Sequence, residues 1–411
     1  MKDFLLKFYN DKIIIILYAI ILTALAINKF RKNTKERPIF TCENLFILFY
    51  YVFIAVAPIY NVWVNNYKYT YNIFFIFFIC LVLFVIGADL IVGNKYLKNE
   101  KRIKELSLGK VEGKFVVRSA TLFLIIGYFF LCCYLIQNLN IIMQDVENNR
   151  VIAMQGSGII MHLGYMILPA TWILYYYHLN YKNNKLIYVY IILDIILLLL
   201  MGFRSRVLEL ILLLIIIRND FKPFKMRRLI TIGVILIASI IIMQLFRTFI
   251  SGGSADIGID SLISAMGVSG INSNYIFDSF PDKVPFQYGY TYWLSIKMLL
   301  PGPDIDATLW LKNVLNLQYD GGGLTPSIIG ELFINFGYIG IFIGMLILGI
   351  VCRLIDNYAK NKKINRCIYY ILLLYIPRMV GSGISTFFIL TVWFLIVTFI
   401  ILKLKIKGKN E

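Results

Sequence analysis

Apolar runs, each close to the length needed to cross hydrocarbon, alternate with short polar stretches along this chain. A helix needs about 20 mostly apolar residues to span a bilayer. Segments near that length centre on 13–27, 44–64, 71–92, 115–137, 159–178, 186–201, 206–217, 229–250, 326–354, 367–380 and 385–402. The pattern predicts an all-α polytopic membrane protein with about 11 transmembrane helices (10–12). One stretch, residues 251–340, breaks the alternation. It opens with SGGSADIGIDSL, stays mostly polar, and ends in DGGGLTPSIIGELFINFGYIG where the apolar pattern resumes. A loop of that length inside a compact fold is uncommon unless it is functional or disordered. The aromatics and aliphatics of FQYGYTYWLSIKMLLPGP argue against a disordered linker. Residues 1–250 are therefore expected to hold helices one to eight, 251–325 a large folded outer loop, and 326–411 the last three helices and a tail.

Composition agrees with this plan: 59% of the 411 residues are hydrophobic, 16% are charged, and mean hydropathy is +0.75. A net charge of +18 would point a soluble protein toward nucleic acid. Here most Lys and Arg fall in short loops on alternate sides of the apolar runs, so topology explains them and no nucleic-acid partner is expected. The positive-inside bias puts the basic loops and the C-terminus in the cytoplasm and, with an odd number of spans, the N-terminus outside. Stretch 251–325 then faces outward. It is net acidic, with Asp256, Asp260, Asp278, Asp282, Asp304, Asp306 and Asp320 against Lys283, Lys297 and Lys312. The six cysteines form no CxxC pair and no metal-ligand spacing with histidine, so they read as small hydrophobes, and neither metal nor other cofactor is expected.

The outer side also collects arginines that the inside rule disfavours. Arg204 and Arg206 lie in the tight turn GFRSR, Arg247 in QLFRTF, Arg378 in YIPRMVGSG and Arg150 in ENNRVIAMQGSG. A guanidinium stays charged and grips two oxygens at once, which suits phosphate or carboxylate. Each could instead snorkel to headgroups or pair locally; Glu209, three residues after Arg206, shares its helix face and is a natural ion-pair partner. Asp194 lies mid-span with no sequence partner and is expected to be protonated or bonded across helices. In GGGLTPSIIGELF, Thr325 reads as a helix N-cap and Pro326 as a first helical residue. Gly322 and Gly323 ahead of them make a possible phosphate cradle, and Glu331 beneath is a candidate general base, or a structural partner for an arginine. His162, after GSG, is a second candidate base or simply a hydrogen-bonded core histidine.

The pairing of MGFRSRVLELILLL with GGGLTPSIIGELFINFGYIGIFIGMLILG resembles the Wzy-type oligosaccharide repeat-unit polymerases. FQYGYTYWLSIKMLLPGP, and the plan of many spans with one large late loop, are similar to that family too. The resemblance implies a glycosyltransferase that joins undecaprenyl-diphosphate-linked units at the outer face of the inner membrane, without nucleotide sugar or metal. In that role the arginines would stabilise the leaving diphosphate, and Glu331 or His162 would deprotonate the acceptor hydroxyl. Expected partners are lipid-linked donor and acceptor, membrane lipid and a chain-length regulator protein. A ligase would share the arginines and the loop, whereas a flippase or exporter should line a central cavity with charge and show repeat symmetry, of which the sequence has none.

Overall fold

The computed structural model describes residues 12–36, 38–63, 73–91, 110–144, 159–181, 185–201, 203–225, 227–229, 231–235, 238, 259–299, 305–318, 322–360 and 365–404. Among them every regular element is helical. In order these are α1 (Lys12–Glu36), α2 (Cys42–Trp63), α3 (Ile73–Leu90), α4 (Lys110–Gln144), α5 (Ile159–Asn180), α6 (Leu186–Leu200) and α7 (Arg204–Phe221). Then come α8 (Ile259–Ser279), α9 (Tyr290–Lys297), α10 (Ala307–Val314), α11 (Ser327–Lys360), α12 (Arg366–Ser382) and α13 (Ile384–Lys403). Six described helices, α2, α3, α4, α5, α11 and α13, are long and apolar enough to cross a membrane, and α6 is a shorter apolar helix. The expected span 229–250 lies mostly outside the described residues.

The chain divides into two compact units: Met1–Tyr96 with Gly258–Asn365 and Tyr375–Thr391, and Leu97–Ile257 with Arg366–Leu374 and Val392–Glu411. In the first unit α3 and α11 cross backbone to backbone, because glycines remove the side chains that would hold them apart. A Cβ on Gly87 would overlap the Leu346 carbonyl, and one on Gly349 would overlap that of Phe84. Close approach through small residues is how apolar helices associate in lipid, where the hydrophobic effect does not draw them together.

One end of this unit is tied by buried charge. Glu43 is fully buried, and its carboxylate meets Arg353 Nη1 at 2.7 Å and Lys29 Nζ at 3.3 Å. Lys29 also pairs with Asp89. Asp356, equally buried, accepts the Cys42 amide at 2.8 Å and the Glu43 amide at 3.3 Å, so it satisfies donors that the start of α2 cannot bond within the helix. Thr41 Oγ1 accepts the Asn44 amide at 3.1 Å and completes the cap.

The described residues of the stretch 251–325 include three helices, α8, α9 and α10. A Cβ on Gly267 of α8 would sit 3.0 Å from the Ala57 carbonyl oxygen of α2. The polar face of α8 is buried and stitches other elements together. Ser269 Oγ donates to the Gly381 carbonyl (2.9 Å), and Ser273 Oγ donates to Ser269 O (2.7 Å). With that proton committed, Ser273 accepts from Ser327 Oγ at 3.0 Å, while Asn272 Nδ2 donates to the Thr325 carbonyl at 2.8 Å.

The start of α11 differs from its sequence reading. The oxygen that accepts the Gly330 amide (3.1 Å) belongs to Ser327, not Thr325, and Ser327 has φ 62°. More consequential, α11 is two helices. Gly337 has φ 64° and ψ −152°, a conformation open essentially to glycine alone. The chain turns back there: a Cβ on Gly340 would stand 2.6 Å from Leu332 O, and one on Gly344 2.5 Å from Leu332 Cδ2. In one straight helix those pairs would be about 12 and 18 Å apart. The expected single span over 326–354 is thus a short arm, 327–336, folded against a long arm, 338–360.

In the second unit α5 packs against α4, α6 and α7. A Cβ on Gly127 of α4 would meet Ile167 of α5, and one on Gly164 would meet Leu131 of α4. Asp194 is bonded across helices, as expected, with Thr171 Oγ1 donating to its Oδ2 at 2.6 Å. The Asp220 carboxylate accepts from Tyr370 at 2.7 Å, with Arg366 Nη1 at 3.8 Å.

Candidate functional site

Two clusters contain residues singled out from the sequence, His162 and Arg206 in the second unit and Glu331 in the first. In the second unit α7 starts directly after Phe203, which offers no side-chain cap. Arg206 lies in the first turn, where the helix dipole disfavours a cation. Glu209 offsets this: both its oxygens lie within bonding distance of Arg206 Nη1, at 2.9 and 2.6 Å. The guanidinium carbon stands 5.0 Å from the centroid of Tyr165, inside cation–π range, and Arg206 is only 7% exposed. Tyr165 is itself wedged edge-on against Phe203, centroids 5.6 Å apart. His162 meets this tyrosine too, ring centroids 6.2 Å apart. His162 also meets Trp393 edge-on at 6.3 Å, and its carbonyl accepts the Trp393 indole N–H at 3.1 Å.

The structure therefore brings two sequence candidates, His162 and Arg206, against one buried tyrosine. Tyr165 and Trp393 were not singled out from the sequence, since nothing in an aromatic-rich chain marks one ring among many. Only the i,i+3 relation of Arg206 and Glu209 was legible. Arg204 begins α7; its side chain, and the whole of Arg150 and Arg247, lie outside the described residues.

In the first unit Glu331 sits on the short arm of α11, one turn past Ser327, and is fully buried. Its two carboxylate oxygens lie 3.3 and 3.1 Å from the Ser385 amide, at the start of α13, where backbone N–H groups have no helical partner. Gly383, with φ 97°, makes the break between α12 and α13, and a Cβ there would stand 2.5 Å from Glu331 Oε2. No cation pairs with this carboxylate among the described residues. Asn335, one turn on, is fully used: Nδ2 donates to Thr291 Oγ1 at 2.7 Å and to Glu331 O at 2.9 Å, and Oδ1 accepts the Gly289 amide at 2.9 Å. The Gln287 and Tyr288 amides bond the Ile334 and Asn335 carbonyls, which end the short arm (2.9 and 3.0 Å). Burial, then the Glu331 carboxylate, push the Tyr292 phenol above its ordinary range.

Arg378 lies half-buried on α12, before Gly383. Gly322 has open space around its α-carbon, whereas Gly323 is pressed on the backbone of Thr308 and Leu309, where no Cβ would fit. Leu324 N donates to Thr308 O at 3.0 Å, so this glycine serves a close backbone crossing with α10. Thr325 is held by Asn272.

The family model described as O-antigen polysaccharide polymerase Wzy matches residues 3–410, nearly the whole chain. The chain belongs to the Wzy family. Comparison with curated proteins gives no match. Comparison with solved structures gives none either. Membership supports an O-antigen polymerase role; the family is of glycosyltransferase-type polymerases that act on lipid-linked oligosaccharide repeat units in the inner membrane. The apolar helices fit that setting. Within this chain, the cluster of His162, Tyr165, Arg206 and Glu209 offers an oriented cation beside an imidazole, whereas the Glu331 cluster offers a carboxylate already committed to a helix start.

Proposed function

We propose that the chain joins undecaprenyl-diphosphate-linked repeat units at the periplasmic face, moving the growing glycan en bloc onto the newest unit. An acceptor hydroxyl oxygen attacks the anomeric carbon of the donor glycan. The bond from that carbon to the diphosphate breaks, the electron pair leaves with the diphosphate, and the hydroxyl proton passes to a base. The donor carries its own activated leaving group, so the step calls for neither nucleotide sugar nor metal. Developing charge on the leaving oxygen is what a fixed guanidinium stabilises best. The observation that carries this assignment is Arg206, held by Glu209 and the Tyr165 ring, with His162 against the same ring.

On this reading Arg206 binds the diphosphate and His162 takes the proton. Arg204, Arg247, Arg378 and Arg150 are further diphosphate ligands by their chemistry, with Gly322 and Thr325 in a loop that could approach an anion. Glu331 serves better as a positioning residue than as a base, because its oxygens are buried and occupied by the Ser385 amide.

Deleting the gene and restoring it on a plasmid tests the reading through the surface glycan ladder. Loss of the protein should leave one repeat unit on lipid A core, and long chains of normal length in the deletion strain would refute polymerisation. Arg206→Ala should abolish extension with protein still present in the membrane. His162→Ala should lose extension and regain part of it with added imidazole; full activity without imidazole would remove His162 as the base.

A further inference from the structure

Helix α9 (Tyr290–Lys297) is amphipathic in the wrong sense for a helix in water. Its packed face is small and largely polar: Thr291 and Ser295 are each 1% exposed, and Leu294 lies between them. Its open face carries Tyr290, Trp293, Ile296 and Lys297, with Trp293 half exposed and Leu299 continuing the apolar surface just beyond the helix. On a helical wheel those four positions fall within about a third of the circumference. Thr291 is fixed by Asn335, so rotating the helix to bury Trp293 would break that bond.

We infer that α9 lies in the headgroup layer of the bilayer, with Trp293 and Ile296 facing the acyl boundary. Three observations select lipid as the occupant. Tyr, Trp and Lys together with an aliphatic residue are the side chains that partition to a membrane interface, an apolar body below and a polar tip above. Lys297 Nζ stands 5.9 Å from the Trp293 ring, with the ammonium and the indole on the same face.

The third observation is continuity with a lipid-facing surface. The segment leading into α9 is bonded into the corner at Gly337 through Gln287, Tyr288 and Gly289. The long arm that leaves this corner has 23 residues, 338–360, or about 34 Å of helix, enough for a hydrocarbon core of about 30 Å. Its first turns expose Tyr338, Ile339, Phe342 and Ile343. The corner is thus where a spanning helix enters the bilayer, and α9 is anchored beside it. The outer stretch is held down at the membrane surface, at the depth where a lipid-linked diphosphate resides, by contacts independent of the chemistry assigned to Arg206.

The test uses full-length protein with its six cysteines replaced, carrying Ile296→Cys with a nitroxide label, in vesicles of phosphatidylethanolamine and phosphatidylglycerol. Collision with apolar oxygen should exceed collision with a water-soluble nickel chelate several-fold, as for a label at Ile343→Cys. Preference for the nickel chelate would mean the face is in water. A rigid spectrum shielded from both reagents would mean that protein, a second copy or a partner, covers it. Either result overturns the inference. In parallel, tryptophan quenching by lipids brominated near the headgroup should fall measurably in Trp293→Phe relative to the unlabelled wild-type chain; identical quenching would also overturn it.

Discussion

Two buried glutamates in the same unit are held in opposite ways. Glu43 is surrounded by charge: Arg353 on one oxygen, Lys29 on the other, with Asp89 drawn in through Lys29. Glu331 has no cation among the described residues and lies on the Ser385 amide at the head of α13. The first arrangement ties α1, α2, α3 and α11 through mutual attraction, and it depends most on its buried partners. The second spends a full carboxylate on backbone donors that a neutral amide oxygen could also satisfy. That difference separates a residue needed for its charge from one needed for its shape and acceptor atoms.

Breaking the first arrangement should have the largest effect. Arg353→Met removes the nearer of two cations from a carboxylate with no exposure, with Lys29 still at 3.3 Å. Stranding one member of a buried pair costs about 3–5 kcal/mol. Thermal unfolding in detergent should show a loss of that order. The double change Glu43→Gln with Arg353→Met should recover part of it, because the stranded charge, rather than the lost attraction, carries most of the penalty. A double variant no better than the single would place the cost in packing instead.

The contrast also shows what the sequence can carry. Apolar length is a property of composition, so the runs at 13–27, 71–92 and 385–402 reappear as Lys12–Glu36, Ile73–Leu90 and Ile384–Lys403. The Arg206–Glu209 pair was legible because three residues on a helix make neighbours. The corner at Gly337 was not: INFGYIGIFIG is apolar and glycine-dotted throughout, and nothing in it distinguishes the glycine that reverses the chain from Gly340 and Gly344, which let the arms touch. Nor was the Glu43–Arg353 pair, whose partners lie about 300 residues apart along the chain and meet only where α2 packs against α11. The Tyr165 cluster is hidden for the same reason. Its members come from α5, α7 and α13, and only packing selects them.

A smaller effect should follow at Glu331, and here the comparison decides a role. Glu331→Ala leaves the Ser385 amide unbonded in a buried site and opens a void, together about 2–3 kcal/mol. Glu331→Gln keeps an acceptor oxygen and nearly the same volume, so it should cost about 1 kcal/mol or less. If the residue positions the α12–α13 break, the Gln variant should retain polymer of near-normal length while the Ala variant loses it with its stability. A stable Gln variant that makes no polymer would return Glu331 to the chemistry as a base.

The least effect is expected at the rim of the charge cluster. The Asp89 side chain is 44% exposed while its partner Lys29 is nearly buried. Water screens the aspartate, and half-exposed pairs contribute about 0–1 kcal/mol. Asp89→Asn should therefore shift thermal unfolding little, since Lys29 keeps Glu43 as a counter-charge and the Asn oxygen can still accept a bond from it. A loss approaching that of Arg353→Met would mean that Lys29 depends on Asp89 to stay in place beside Glu43. Glu43 would then be held by a chain of charges running out to the surface, and the unit's tie would be only as strong as its most exposed member.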